Sequence, residues 1–393
     1  MTASRNTILA LGLMLLALAT GRSALGASSV GCGDSSAEAT CDAHSNTNCN
    51  SNGNAGCDAT CSGGCNTCAK PADSAACEKT WSLEDEPLFR MGTLCFQDLC
   101  GTCGCCSWKA DASVLIMHRS TPGTQTVLLD PTTGTNLFDA SRLEFPYAAG
   151  PRISLTALDC EGWGFEVNLF GIDGWSATSD IPSGSLPNGG SLLVDSVTRL
   201  QLTDAHFASI ARLYSTEINF RKPLFNNVSF LAGFRWLEMT DQYSADGTSA
   251  TTANTVSETV LTHNHMYGFQ IGADGTLFQE ADRWRITGFV KGGIFLNDAD
   301  QATSLADPGG LGSLTVNNNH VGAAFFGETG IIGYFQITKH LSASGGYQVM
   351  FVNGVAQPAN QLSGTNLANS TATVDASSGL FYHGASAGLE VNW

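Results

Sequence analysis

Hydropathy with a period of two, starting near Lys109, constrains this chain more than any other feature. In the last segment Phe381, Ala385, Ala387, Leu389, Val391 and Trp393 share one face, and Tyr382, Gly384, Ser386, Gly388, Glu390 and Asn392 share the other. Successive side chains of a β-strand point to opposite sides, so this segment predicts a strand with one apolar and one polar face. Repeated segments of about ten such residues are typical of strands that cross a membrane within a closed barrel.

Ten segments follow this pattern, and the connections between them alternate between long and short. The segments run roughly over 110–119, 151–158, 163–175, 206–221, 228–239, 262–277, 284–296, 320–337, 341–352 and 381–393. An even number of strands with short turns on one side and long loops on the other predicts an all-β fold. We expect a closed antiparallel transmembrane β-barrel of about ten strands over residues 108–393. The alternative, a soluble β-sandwich, does not require loop lengths to alternate.

The first 26 residues have the pattern of a signal peptide. Arg5 precedes an apolar run over 8–19, and small residues follow up to Gly26. This order predicts export, with cleavage before Ala27. Since no later segment has 18 consecutive apolar residues, an exported membrane protein of this sequence must cross the bilayer as a barrel.

Residues 27–107 form a second predicted region, which is rich in cysteine. All 14 cysteines except Cys160 lie between Cys32 and Cys106, among many Ser, Gly and Asn residues. We expect a loop-rich periplasmic region held by disulfides. Metal binding through the two CxxC pairs and intermolecular cross-links are the alternatives. A bridge to Cys160, in the first short turn, would fix this region against the barrel mouth.

The composition excludes two broad classes of protein. There are 35 acidic against 18 basic residues, a formal net charge of −17, which disfavours a nucleic-acid partner. The 20 Phe, 7 Trp and 7 Tyr residues supply more apolar surface than a disordered chain carries.

Several blocks resemble the bacterial putative β-barrel porin family 7. They include Gly150-Pro151-Arg152-Ile153-Ser154-Leu155, the run from Trp163 to Gly171, the run from Leu231 to Leu237, the run from Tyr267 to Gly275, and the run from Gly288 to Gly293. The resemblance covers about residues 109–393 and implies an outer-membrane β-barrel porin. Leu389, Val391 and Trp393 resemble the carboxyl-terminal assembly signal of such barrels.

The face opposite the apolar one carries a balanced set of charges. These predicted lumen residues are Asp111, Glu166, Glu217, Asp274, Glu328 and Glu390 with Arg119, Arg152, Arg221, Arg235, Arg285 and Lys291. Ten strands leave a narrow interior, so we expect ion pairs that cross the lumen and block molecules the size of a sugar. The alternative is a selective conduit lined by the same side chains.

Histidines cluster at the predicted outer strand ends. They are His118, His206, His263, His265, His320 and His383, with Asp204, Asp241, Asp298 and Asp300 in the predicted outer loops. Such residues suit the headgroup level of a membrane, and no nucleophile accompanies them, so we assign no catalytic residue and no cofactor. The alternative is a surface metal-binding receptor or hydrolase, for which His263 and His265, on one face of a strand, are the best candidates.

The expected location is therefore the bacterial outer membrane, with the N-terminal region and the carboxyl terminus in the periplasm. Expected partners are outer-membrane lipid, the barrel assembly machinery, and periplasmic or cell-wall components that meet the cysteine-rich region. Passive or selective transport and envelope anchoring are the functions that the sequence favours, without indicating a substrate.

Overall fold

The computed structural model describes residues 107–393, except residues 160, 187, 188, 226, 281 and 282. The predicted signal peptide, the cysteine-rich region and Cys160 lie outside the described residues. No helix in the described part is long and apolar enough to cross a membrane.

Sixteen strands form in the described part of the chain. The first eight are β1 (Ser107–Arg119), β2 (Thr126–Leu129), β3 (Asn136–Asp139), β4 (Ala148–Leu158), β5 (Gly164–Ile181), β6 (Gly190–Leu193), β7 (Arg199–Leu202) and β8 (Ala205–Phe225). The others are β9 (Val228–Thr248), β10 (Thr255–Glu280), β11 (Trp284–Asp307), β12 (Gly312–Gln336), β13 (Leu341–Val355), β14 (Thr365–Asn366), β15 (Thr371–Ala372) and β16 (Ser378–Asn392). One helical turn, α1 (Pro358–Gln361), and two 3₁₀ turns, Ala140–Arg142 and Leu362–Gly364, complete the list.

Ten of these strands close into an antiparallel barrel, which confirms the predicted all-β fold and strand number. The order around the ring is β1, β16, β13, β12, β11, β10, β9, β8, β5 and β4, and β4 pairs with β1. At the closure Asp111 lies opposite Glu390, and His118 lies opposite His383. At the level of the ring every barrel strand is therefore paired on both sides and no edge is open there. Residues 312–324 of β12 extend past the end of β13 and pair with β11.

The long-loop end of the barrel differs from the prediction, because the strands continue where loops were expected. β9 runs to Thr248 and β10 begins at Thr255, so the predicted loop over 240–261 is wrong. The predicted loop over 297–319 is also wrong, since β11 reaches Asp307 and β12 begins at Gly312. In these extensions the alternation is reversed: Tyr243 faces inward and is buried, whereas polar residues face outward. A search for outward apolar residues therefore misses them.

The outward face of the other half of the barrel is apolar and ends at a sharp boundary. On β11 this face carries Trp284, Ile286, Val290, Ile294 and Leu296, and then changes to Asp298 and Asp300. The exposed fraction of Ile294 is 73% and that of Phe269, on the neighbouring β10, is 79%. The same change falls between Trp236 and Glu238 on β9 and between Tyr267 and His265 on β10. In the register of these two strands Tyr267 lies opposite Trp236, and His265 lies opposite Glu238. We call this surface the apolar band.

Two folded segments cover the long-loop end. The sheet lid, residues 126–145 and 190–202, contains the four-stranded sheet β3-β2-β6-β7. Its Phe138 stacks on Phe207 of β8 with ring centroids 4.2 Å apart. The helix lid, residues 356–377, contains α1, β14 and β15. Asn264 of β10 holds its first residue: Asn264 Nδ2 donates to Ala356 O (3.0 Å), and Ala356 N donates to Asn264 Oδ1 (2.7 Å).

Candidate functional site

A chain of six charged side chains crosses the middle of the barrel. Its members come from six different strands and are buried: Arg152, Glu166, Glu217, Arg235, Lys291 and Glu328. Each faces inward because its position in its strand has the parity that the sheet turns toward the interior. Three acids meet three bases, so the set is neutral.

Acids and bases alternate along this network. Lys291 Nζ lies 3.1 Å from Glu166 Oε1 and 2.5 Å from Glu217 Oε1. Arg235 Nη1 joins Glu217 Oε2 at 3.3 Å to Glu328 Oε2 at 2.8 Å. Arg152 Nη2 completes the chain, 3.1 Å from Glu328 Oε1. We call these six residues the central network.

Neutral side chains make further hydrogen bonds to the charged groups of the central network. Gln270 Nε2 donates to Glu217 Oε2 at 2.6 Å, and Arg152 Nη1 donates to Gln348 Oε1 at 2.5 Å. The guanidinium of Arg235 lies 4.0 Å from the ring centroid of Phe326. A buried ion pair is tolerated only when such contacts compensate its lost hydration. The network therefore forms a packed partition across the lumen.

A polar vestibule lies between the central network and the short-turn end. Its cavity is about 140 Å³ in volume. Charged residues of its lining include Lys109, Asp111, Arg221, Asp274 and Glu390. Arg221 binds Asp274 at 2.6 Å and also contacts Glu166, which connects the vestibule to the central network.

Glu390 and Asp111 differ in how they are satisfied. Glu390 is bound by Arg285 at 2.7 Å and by Lys109 at 3.3 Å. Asp111 accepts hydrogen bonds from Ser113 (3.1 Å) and from Ser344 (3.4 Å). Lys109, which was not among the predicted lumen charges, has the same inward parity as Asp111 in β1.

Between the central network and the lids the interior of the barrel is largely apolar. Its buried residues include Leu115, Met117, Ile172, Trp175, Leu213, Leu237, Met266, Phe295, Met350 and Tyr382. One ion pair lies among them, Arg119 Nη2 to Asp241 Oδ2 at 2.6 Å. Phe145 of the sheet lid packs over this guanidinium at 4.9 Å. Asp241 was predicted in an outer loop and lies instead on the inner face of β9.

The structure thus places all twelve predicted lumen charges on the inner face. Eleven of them take part in ion pairs with described residues, and Asp111 bonds to hydroxyl groups. The pairing partners could not be read from the sequence, because register across the barrel decides which acid each base meets, and Arg119 meets Asp241 in place of any of the six predicted acids.

The six histidines predicted at the outer strand ends lie at the upper edge of the apolar band or above it. His263 Nδ1 lies 3.1 Å from Asp300 Oδ1, and His265 Nε2 lies 3.8 Å from Asp300 Oδ2. Their rings are near-parallel, with centroids 6.1 Å apart. His206 Nδ1 lies 2.5 Å from Asp180 Oδ1. These groups all face outward, away from the lumen.

The other three predicted histidines lie apart from Asp300 and Asp180. His118 and His383 lie side by side with centroids 5.2 Å apart, and the Tyr347 hydroxyl lies 2.7 Å from His383 Nδ1. His320 lies exposed on β12. Within the described ranges, no group of three or more His, Cys, Asp and Glu side chains could hold a metal ion.

Leu389 and Val391, two of the predicted assembly residues, lie on the outer face of β16, and Trp393 directly follows its last residue. All three are exposed, as a lipid-facing role requires. Trp393 also closes the barrel through its backbone: Trp108 N donates to Trp393 O at 2.9 Å, and Trp393 N donates to Trp108 O at 3.0 Å.

Comparison with known proteins gives a likeness in solved structures alone. No protein-family model and no curated protein sequence matches the chain, so the resemblance to porin family 7 stays a prediction. The outer membrane protease OmpT from Escherichia coli is similar with 11% identity and a TM-score of 0.40, over 73% of this chain and 97% of OmpT.

Two further solved structures give weaker matches over the same share of this chain. The Pseudomonas putida toluene transporter TodX has 8% identity and a TM-score of 0.24, with 88% of its own chain covered. A Pseudomonas aeruginosa FadL homologue has 10% identity and a TM-score of 0.23, with 89% covered. Likeness at these values says nothing about the function of this chain.

Proposed function

We propose that this protein is a bacterial outer-membrane β-barrel that is closed at rest and transports a selected solute only when its interior rearranges. The apolar band supports the membrane assignment, because a band of exposed Phe, Ile, Val and Leu has no place in water. Trp284 at one edge and Tyr267 at the other suit the two membrane interfaces.

The two ends of the barrel suggest its orientation. In bacterial barrels the short turns face the periplasm and the long loops face outward. Both lids would then be extracellular, and the vestibule would open to the periplasm. The chain would meet lipid along the apolar band and the assembly machinery through β16.

The central network is the observation that carries the closed state. A water-filled general porin needs 16 to 18 strands, whereas ten leave room mainly for side chains. Here that room holds three acids and three bases in continuous contact. An apolar layer and two lids lie above them. Passage of a solute would require both the lids and the network to move.

Planar-bilayer recording tests this proposal. We expect the refolded barrel to show a closed baseline with brief openings, and no steady conductance. The control is a variant in which residues 190–202 of the sheet lid are replaced by a short Gly-Ser linker, which should open more often. A steady porin-like conductance of the unaltered protein would contradict the closed state, and silence of both proteins would favour envelope anchoring.

A surface receptor or hydrolase is the second candidate, favoured by the shared contact of His263 and His265 with Asp300. A histidine held by a carboxylate is a familiar arrangement for metal binding and for general-base catalysis. These side chains lie on an open outer surface, without an enclosing pocket, so we rank this function below transport.

A further inference from the structure

Glu258 is a buried carboxyl group that the transport proposal does not use. Its exposed fraction is 0%, and neither of its side-chain oxygens has a hydrogen-bond partner among the described residues. A buried polar group without a partner is rare enough to require a physical explanation. The explanation has to account for a carboxyl that the fold encloses and leaves unpaired.

Glu258 lies beyond the membrane, beneath the lids. The boundary of the apolar band on β10 falls between Tyr267 and His265, and Glu258 is seven residues further toward the long-loop end. Its side chain faces inward, with Ala245 of β9 and Leu305 of β11 directly opposite in the two neighbouring strands. Neither neighbour offers a hydrogen bond.

Asp195 of the sheet lid is the charge that acts on Glu258. Asp195 Oδ1 accepts from Val197 N (2.8 Å) and Thr198 N (2.5 Å). Its Oδ2 accepts from Thr198 Oγ1 (2.9 Å) and from Leu367 N of the helix lid (2.8 Å). Asp195 therefore ties the two lids together.

Asp195 is ionised in this arrangement. Burial raises the pKa of its carboxyl, but the N–H groups of Leu367, Thr198 and Val197 outweigh burial and lower it. All four lone-pair positions of the two oxygens are occupied by donors. Asp195 thus presents a fixed negative charge, with no capacity left to bind a cation.

The remaining groups near Glu258 do not compensate a second negative charge. Burial, and then the charge of Asp195, raise the pKa of Glu258 well above its ordinary value. Tyr243, diagonal to it on β9, has an unpartnered hydroxyl and a pKa raised by burial and by Glu258. Arg199 binds the backbone oxygen of Asp195 at 3.0 Å. Asp307, two residues beyond Leu305, adds a further acid.

We propose that Glu258 is a proton-operated lock: the lids close over the barrel only while Glu258 is protonated, and loss of its proton releases them. This inference deepens the proposed transport function, which it takes as its premise. Ionised Glu258 would be an unpaired buried charge beside ionised Asp195, and movement of the sheet lid would hydrate and separate the two carboxylates.

The sign of the pH dependence follows from the raised pKa of Glu258 in the closed state. Below the ordinary pKa of a glutamate, about 4.3, the carboxyl is protonated in both the closed and the open state, and closure has its full stability. That stability is lost as the pH rises through the raised value of the closed state. Between the ordinary pKa and the raised pKa, the open state releases a proton that the closed state keeps, so closure weakens about tenfold per pH unit. Above the raised pKa closure no longer depends on pH.

Hydrogen exchange of the β6 and β7 amides, in the refolded full chain, measures lid opening without requiring conductance. We compare the unaltered protein with Glu258→Gln, which keeps the shape of the protonated group, from about pH 3 to about pH 10. Glu238→Gln, on the outer face of β9, is the matched control. Comparing variants at each pH cancels the intrinsic pH dependence of exchange.

We expect equal exchange at the acidic end, and then an excess in the unaltered protein that grows toward tenfold per pH unit. The control should follow the unaltered protein. Equal exchange of Glu258→Gln and the unaltered protein at every pH would overturn the lock. So would lids that open on chelation of Ca²⁺ at constant pH, since a bound cation would then compensate Glu258.

If Glu258→Gln does not fold, Glu258→Leu is the replacement variant, and the same excess is expected. The two proposals can fail separately. A silent barrel whose lids show the expected pH dependence would retain the lock and lose transport. A conducting barrel with pH-independent lids would retain transport and lose the lock.

Discussion

At the residue scale, charge inside this barrel is stable because almost every charged group has a partner and because the partners alternate. Arg235 shows the arrangement: it contacts Glu217 and Glu328 and packs on Phe326, with an exposed fraction of 1%. Its two acids are also bound by Lys291 and Arg152. Removing one base therefore unbalances a shared network and affects more than a single pair.

We predict that Arg235→Leu destabilises the barrel by roughly 3 to 5 kcal/mol, because it leaves buried acids in excess. Arg212→Leu is the control: Arg212 pairs with Asp173 at 3.0 Å, but its side chain is 43% exposed. That pair should contribute no more than about 1 kcal/mol. Urea unfolding of the two refolded variants measures the difference. Similar losses in both variants would show that the central network carries no special weight.

Inward position could be predicted from the sequence, whereas pairing could not. Strand parity placed Glu217 and Lys291 on the inner face, because alternation is a local property of a strand. Asp241 and Glu258 were missed as interior residues because they lie in strand extensions whose apolar face is turned inward. Only the closed sheet and its register bring Asp241 to Arg119, from opposite parts of the chain.

At the element scale, the strands are longer than a bilayer requires. β10 has 26 residues, whereas a spanning strand needs about 9–11. The surplus extends above the apolar band and carries the lids, where the sequence pattern predicts loops. Their strands are short and lack the sustained alternation that made the barrel strands recognisable. The lids depend instead on long-range contacts, such as Asn264 with Ala356.

The closing element, β16, should decide whether the barrel assembles. We predict that Trp393→Ser lowers the amount of folded protein in the outer membrane, because it removes the terminal aromatic of the assembly signal. The control is Trp284→Ser, another outward tryptophan at the short-turn end, 52% exposed against 44% for Trp393.

Heat-modifiable gel mobility of membrane fractions reports this assembly. We expect the folded band to decrease for Trp393→Ser and to persist for Trp284→Ser. The backbone hydrogen bonds between Trp393 and Trp108 survive the substitution, so a loss would reflect recognition more than closure. Unchanged insertion of Trp393→Ser would count against the role of β16 as a signal.

At the scale of the whole molecule, the barrel has two different outer surfaces, one suited to lipid and one suited to water. The apolar band requires lipid, and the extensions above it carry Asp, Glu, His, Ser and Gln on the same outward positions. The interior follows the opposite order, with charge within the band and apolar packing above it. This inversion fixes the depth of the molecule in a membrane, since a shift along the axis would expose apolar residues to water and charges to lipid.

That depth can be tested with one residue type at two heights on a single strand. Val290, 56% exposed in the middle of the apolar band, and Ala306, exposed in the extension, both face outward on β11. We predict that Val290→Arg destabilises the barrel in lipid vesicles by about 2 to 4 kcal/mol, because it places a cation near the bilayer midplane. Ala306→Arg should cost about 0 to 1 kcal/mol, since its side chain meets water. Equal costs in reversible unfolding from vesicles would contradict the membrane assignment itself, because a soluble barrel would tolerate an exposed arginine equally well at either height.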